Sequence, residues 1–185
     1  MRVAADVEIL LCWILWWYPF LFRAPHVQKR PSITVAGPSR IGILLQTAAL
    51  VLALAIHVPW DAPLSAVRAI AAMLPGPVAV WLGWSAVQHL GRQFRIQAGL
   101  YEDHQLVRTG AYAVVRHPVY SSMLALLLAM LIAITRPWWF AILLPLFIIG
   151  TEIRVRTEDR LLASRFPEEF ATYRAKVPAY IPFVR

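Results

Sequence analysis

Cysteine is almost absent from this chain: Cys12 is the only one among 185 residues. A single thiol excludes an intramolecular disulfide and any cysteine-based metal cage. Cys12 lies in an apolar run, where a thiol behaves as a small hydrophobe. The histidines, His26, His57, His89, His104 and His117, lack the tight spacing of a metal site. No glycine-rich phosphate loop and no serine nucleophile elbow occur. Negative charge is scarce as well, with 10 acidic residues against 18 basic ones and a net charge of +8. Such a balance could suit nucleic acid. Here the basic residues fall in short stretches between apolar runs, so membrane topology and anionic lipid account for them better, and nucleic-acid binding is not expected. No cleavable leader is expected. Asp6 and Glu8 precede the first apolar run, and Trp16, Trp17 and Tyr18 stand where a leader needs small residues.

What the chain has in abundance is apolar surface. Hydrophobic residues make up 59%, and the mean hydropathy of +0.60 is that of an integral membrane protein. Length suits one domain, residues 1–185. A spanning helix needs about 20 apolar residues. Five candidate spans follow, at about 5–22, 40–60, 66–90, 118–135 and 137–156. The predicted fold class is an all-α membrane bundle of five helices with a cytoplasmic amphipathic tail. Pro75-Gly76-Pro77 and Pro145 predict kinks, tolerable where neighbouring helices satisfy the freed carbonyls.

Loop charge orients the bundle. Arg23, Lys29, Arg30 and Arg40 lie in one connection, and Arg92, Arg95, Arg108 and Arg116 in another. Seven more basic residues follow from Arg154 to Arg185, while the alternate connections carry only Arg68 and Arg136. The positive-inside rule puts the N-terminus outside and the C-terminus in the cytoplasm. Trp60, Trp138 and Trp139 then belong to the outer interfacial belt. Trp16, Trp17 and Tyr18 belong to the inner one, as anchors.

The tail repeats Glu158, Leu161, Leu162 and Phe166 at helical spacing. Pro167-Glu168-Glu169 reads as a new helix start, with proline first and acids in the first turn. Phe170, Tyr173 and Val177 extend its apolar stripe, and Pro178 ends it. The tail is expected to pack under the bundle or lie at the interface.

Two polar clusters abut apolar spans, where charge is costly and its default reading is functional. The first is Arg116-His117-Pro118-Val119-Tyr120. Gly110 permits a tight turn before it. Pro118 drives His117 toward extended backbone and starts the next helix. The His117 imidazole would sit beside open backbone N–H groups, where it either binds a polar ligand or merely caps the helix. The second cluster gathers Glu152, Arg154, Arg156, Glu158, Asp159 and Arg160. Arg154 and Glu158 share a helix face, either as an ordinary ion pair or as ligand-binding groups. His57 reads as packed or interfacial, and His89 as a possible pocket residue.

The ordered pattern Gln97, His104-Gln105-Leu106-Val107, Gly110-Ala111-Tyr112, Arg116-His117-Pro118-Val119-Tyr120, Arg154, and Glu158-Asp159-Arg160-Leu161-Leu162 resembles the isoprenylcysteine carboxyl methyltransferase family. Phe166, Tyr173, Val177-Pro178 and Ile181-Pro182-Phe183 match its closing signature. The likeness covers about 90–185, the cofactor-binding core; the three spans of 1–90 share only hydropathy. It implies a five-span member of bacterial or archaeal type that uses S-adenosyl-L-methionine. The implied cofactor contacts are Gln97, His104, Gln105, Leu106, Val107, Tyr112, His117, Pro118, Val119, Tyr120 and Glu158. Arg154 is the implied substrate contact, and Arg154 and Glu158 are the catalytic pair. The implied partners are a lipophilic or prenylated substrate and membrane lipid, with no metal and no obligate protein partner. Ser122 stands where many members have glycine. Asp159 replaces a second glutamate, Pro167 a glycine, and Phe170 a tyrosine.

The chemistry suits these residue types. Tyr112 and Tyr120 can cover flat or cationic groups. Glu158 can accept hydrogen bonds, and Arg154 can grip a carboxylate in its planar fork. Three other readings compete. Phospholipid-type amine N-methylation would show a steep pH dependence, because an amine must first lose a proton. A membrane sterol or steroid reductase would use NADPH. A non-enzymatic scaffold would be indifferent to Glu158 and His117 substitutions.

Overall fold

The computed structural model describes residues 1–23, 32–35, 37–94, 99–101 and 103–182. Gln97 and Phe183 therefore lie outside the described residues. Seven α-helices dominate: α1 (Arg2–Tyr18), α2 (Pro38–Ala55), α3 (Ala66–Met73), α4 (Pro75–Leu90), α5 (Pro118–Ile134), α6 (Phe140–Arg165) and α7 (Pro167–Lys176). Four helical stretches are long and apolar enough to cross a membrane: Arg2–Phe22, Pro38–Ala55, Ala66–Leu90 and Pro137–Arg165. The shorter α5 is also apolar. The architecture is an all-α integral membrane bundle, with the expected five runs close to their expected places.

α5 is the central pillar. Its 17 residues would reach about 26 Å, slightly less than a typical hydrocarbon core. A helix apolar all round has no face to offer water and is best enclosed by other helices. Accordingly α5 touches α1, α2, α3, α4 and α6, and Leu126, Leu127, Met130 and Leu131 are fully enclosed. α2 packs chiefly along α6, whereas α1 packs on α3, α4 and α5.

The prolines act differently from one another. Pro75 and Pro77 mark the junction of α3 and α4 at Leu74, where a fresh helix begins. Pro145 stays inside α6, which continues for 26 residues. α6 thus carries Arg154 and Glu158 as part of one long rod rather than at a frayed end. α1 starts at Arg2, and Asp6 and Glu8 lie within it. Their polarity is matched locally: Arg2 pairs with Asp6 at 2.9 Å, and the Cys12 thiol donates to Glu8 at 3.0 Å. Cys12 itself is buried.

The loops assemble at two opposite ends. At one end Val58 N–H donates to the Ile134 carbonyl, and Arg68 bonds the carbonyls of Ile132 and Thr135. Arg2 reaches the Ala62 carbonyl there, and the His57 ring packs at a tilt against Trp60. At the other end lies an unanticipated antiparallel pair, β1 (Ser32–Val35) with β2 (Gly99–Tyr101). β1 is the β-branched run Ser-Ile-Thr-Val, which favours extended backbone. It ties the connection before α2 to the connection before α5.

α7 begins at Pro167, with Glu168 and Glu169 in its first turn and Arg174 and Lys176 in its last, matching the helix dipole. Phe170 and Tyr173 are buried, so the tail packs under the bundle. After α7 the chain runs extended along the start of α5. Arg116 and His117 donate their backbone N–H groups to the carbonyls of Pro178 and Ala179 at 2.9 and 2.8 Å. Ser121 Oγ donates to the Tyr180 carbonyl at 2.6 Å.

Candidate functional site

The turn before α5 is built around Gly110. Its φ of +61° is left-handed, and the His89 ring occupies the space a Cβ would need. Ala111 N–H is held by Ser85 Oγ at 2.9 Å. His89 is exposed and bonds the Ser85 carbonyl at 2.7 Å, so it braces the turn from outside instead of lining a pocket. Proline predicts an extended residue ahead of it; with φ −126° and ψ 63°, His117 leaves the helical region without reaching the extended one, and Pro118 is the first residue of α5.

His117 faces two carboxylates. Its Nδ1 lies 3.2 Å from Glu158 Oε2 and its Nε2 2.9 Å from Asp159 Oδ1. The ring is 5% exposed. Burial alone would lower its pKa. The hydrogen bonds and charges of Asp159 and Glu158 outweigh burial and raise the value above 6.5. Only an imidazolium can donate at both nitrogens. Beside it Arg116 pairs with Asp159 at 3.2 Å and donates to the carbonyls of Val177 and Arg174. This four-residue network locks α5, α6 and the tail together. The backbone N–H groups of His117, Tyr120 and Ser121, expected to stand open, donate to in-chain carbonyls instead, and both His117 ring nitrogens face carboxylates.

Tyr120 connects this network to Arg154. Its ring stacks on His117 with centroids 5.6 Å apart, and its hydroxyl donates to Glu158 Oε1. The Arg154 guanidinium lies 4.6 Å from the Tyr120 ring centroid, a cation–π contact. Arg154 also donates to Gln46 Oε1 at 3.1 Å. The intrahelical pair to Glu158 is long, at 3.9 Å. Arg154 thus meets a ring face, a neutral amide and, at longer range, the carboxylate four residues on.

These groups open onto a cavity of about 390 Å³, within the range of small-molecule sites. His104, Gln105, Leu106 and Val107 form one wall with Gln93 and Phe94. Tyr112, His117, Val119, Tyr120, Arg154 and Glu158 line the floor, with Arg116 and Tyr173 behind. Ten of the anticipated positions therefore converge. Pro118 does not face the cavity; it starts the helix that positions its neighbours. Gln105 N–H is held by Gln93 Oε1 at 3.0 Å, which shapes that wall. Burial and the Glu158 charge push the Tyr112 hydroxyl well above its ordinary pKa, so it remains a donor.

The remaining wall comes from the first two spans. Trp16, Trp17, Phe20 and Leu21 of the first span face Ile43, Gln46 and Thr47 of α2 across the cavity. Trp16 is not the interfacial anchor expected from its neighbourhood. It is 5% exposed and donates to Ser122 Oγ at 2.9 Å. Its indole N–H found a buried acceptor, which an aromatic at that depth requires. Gln46 was not anticipated as a site residue. The signal was present, since Gln46 and Thr47 are the only polar side chains between Arg40 and His57.

Residues 76–164 match the isoprenylcysteine carboxyl methyltransferase family. That segment carries α4, α5, most of α6 and the whole His104–Tyr120 wall. Over these residues the chain is similar to this family. Among curated relatives, it is 35% identical over 115 residues to the cobalt-zinc-cadmium resistance protein CzcN of Cupriavidus metallidurans, covering 57% of this chain and 50% of that protein. It is 29% identical over 169 residues to the nickel-cobalt-cadmium resistance protein NccN of Alcaligenes xylosoxydans xylosoxydans, covering 85% and 74%. It is 34% identical over 109 residues to the protein-S-isoprenylcysteine O-methyltransferase of Schizosaccharomyces pombe, covering 56% and 45%. The match thus spans half or less of the first and third relatives.

Against the methyltransferase family's pattern, the departures in this chain have physical roles. Ser122 supplies the acceptor that holds Trp16 and donates to the Val119 carbonyl. Asp159 is short enough to pair with both His117 and Arg116. Phe170 is 1% exposed, filling its place without a hydroxyl to satisfy. Gln46 and Trp16 lie in the first two spans, outside the segment that matches the family.

Proposed function

We propose that this chain transfers a methyl group from S-adenosyl-L-methionine to the carboxylate of a lipophilic acceptor at the cytoplasmic face of the membrane. The observation that carries this reading is Arg154, packed on Tyr120 and bonded to Gln46 where the polar wall meets the apolar cleft. The family match and the protein-S-isoprenylcysteine O-methyltransferase relative support the same chemistry. Two relatives are named for metal resistance; an arginine-lined cavity in an apolar bundle fits the methyl-transfer name better.

The residues present fit the cofactor. The 104–107 wall, Tyr112, Tyr120 and Glu158 offer stacking surfaces, a tyrosine donor and a carboxylate acceptor around a cavity of suitable volume. When bound, the cofactor supplies an electrophilic methyl group on a sulfonium sulfur. The chain's own task is alignment. Arg154 would grip the acceptor carboxylate, which is ionised at neutral pH and needs no general base. Trp16, Phe20, Ile43 and Leu161 keep water from the reacting centre. The apolar cleft between the first span and α2 would take the lipophilic part of the acceptor. Loop charge supports a cytoplasmic site, with the basic connections gathered at the cavity end.

The test is thermal unfolding of the purified full chain with S-adenosylhomocysteine and with NADPH, followed by cofactor-dependent methylation of a membrane lipid extract and mass analysis of the product. Stabilisation by S-adenosylhomocysteine and a new methyl ester are expected. Stabilisation by NADPH alone would replace the reading with a reductase. A methylated amine product would move the acceptor to an amino head group.

A further inference from the structure

Trp16 sits where the cavity ends. Among the described residues, those lining it deepest in the spans are Trp16 of α1, Thr47 of α2, Met123 of α5 and Arg154 of α6. Along α5 the cavity runs from Val119 to Met123, about 6 Å of a helix that reaches about 26 Å. Beyond that depth the bundle is closed. Cys12, Ala79 and Leu126 pack against Trp16 without lining the cavity, and Leu127 and Met130 are fully enclosed.

Three elements fix the indole. Its N–H donates to Ser122 Oγ of α5 at 2.9 Å, and Ser122 gives its own proton to the Val119 carbonyl at 2.6 Å. The hydroxyl is thereby left as an acceptor, the role that a donor-only indole needs. On α4, a Cβ at Gly83 would lie 2.8 Å from the Trp16 ring atoms Cδ1 and Nε1, so that helix runs close along the ring. Within the first span, Phe20 and Trp17 pack on the indole with centroids 4.6 and 5.1 Å away. The ring could swing aside only by breaking these contacts and leaving a buried N–H without its acceptor.

We propose that Trp16 is a specificity-determining residue: its fixed ring closes the cavity towards the bilayer centre and selects acceptors whose apolar group is short enough to end above it. The proposal rests on the methyl-transfer reading for the class of acceptor. A longer chain has to displace a packed aromatic, as in any overfilled core, or leave part of its apolar surface unburied. The alternative is a sideways route. Trp17, Leu21 and Thr47 line the cavity and are also exposed, so a chain passing between the first span and α2 would not meet Trp16.

The test measures binding of N-acetyl-S-geranylcysteine and N-acetyl-S-geranylgeranylcysteine to the detergent-purified full chain, with S-adenosylhomocysteine present. Wild type, Trp16→Ala and Trp16→Leu are compared in one detergent, so that partition of the probes into micelles cancels between variants. The wild type is expected to bind the shorter probe more tightly. Trp16→Ala should move the ratio of the two affinities towards the longer probe by about ten-fold or more, and Trp16→Leu in the same direction by less. Trp16→Leu keeps apolar bulk at the site and carries the test if Trp16→Ala does not fold. A Trp16 that merely supports the fold would weaken both probes together and leave their ratio unchanged, which would overturn the proposal. A wild type that binds the longer probe as well as the shorter, as the sideways route requires, would also overturn it, as would binding of neither. The expected ratios in a chain that S-adenosylhomocysteine does not stabilise would support the Trp16 floor and sink the methyl-transfer reading alone.

Discussion

His117 gives the clearest pH signature at the scale of single residues. Its folded pKa is raised, so it binds its second proton more tightly in the folded chain than in the unfolded one. The resulting stability is fully present below the unfolded value of about 6.5 and is lost as pH rises through the higher folded value. The melting temperature in detergent should therefore fall as pH rises above the unfolded value and through the higher folded one. His117→Gln should flatten that decline; an unchanged decline would assign it to another group. His117→Ala should weaken S-adenosylhomocysteine binding by releasing Glu158 and Asp159 from their partner. Glu158→Ala should weaken it directly, by about ten-fold or more for a lost buried acceptor, read by thermal shift. Arg154→Ala should abolish turnover while sparing S-adenosylhomocysteine binding. Normal turnover in that variant would remove the carboxylate clamp. His117 and Glu158 were legible as polar residues beside apolar spans. That Asp159 and Arg116 complete the network was not, because each pairing joins residues 42 or 43 positions apart.

Helix packing carries its own prediction. α2 and α6 meet at Gly42 and Gly150, with no room for a side chain at either. Gly150→Ala should cost about 1–3 kcal/mol as the helices are forced apart. The measurement is thermal unfolding, with Gly37→Ala as control, since a Cβ at Gly37 would meet nothing within 4 Å. A loss no larger than the control's would mean that the two helices slide freely. Element boundaries were well legible, since apolar length and proline placement act locally. α7 was readable from Pro167 and its flanking charges for the same reason. The β1–β2 pair was not, because a four-residue extended run becomes a strand only when a distant segment completes its hydrogen bonds. Trp16 was misplaced at this scale too. Hydropathy locates an aromatic along the membrane normal but not around the helix axis, and the Ser122 hydroxyl draws it inward.

For the molecule as a whole, orientation is the open physical question, and it is directly measurable. In right-side-out membranes, a membrane-impermeant maleimide should label Asp61→Cys on intact vesicles and Arg174→Cys only after the bilayer is opened. The reverse pattern would invert the topology and put the cavity on the outer face. Both positions are exposed, and Cys12 is buried, so background labelling should be low. Composition and spacing alone determined that this is a helical membrane protein, roughly where its spans lie, and which end is basic. These properties depend on residue-by-residue transfer from water to lipid, which is additive along the chain. The same ordered residues also pointed to the family. What only the tertiary structure decided is which polar groups meet one another. His117 faces two carboxylates, whereas Arg154 is oriented by a ring and a neutral amide from a span that seemed merely apolar. Hydrogen-bond satisfaction is a matter of geometry in three dimensions, and α2 meets α6 across more than 100 residues of sequence.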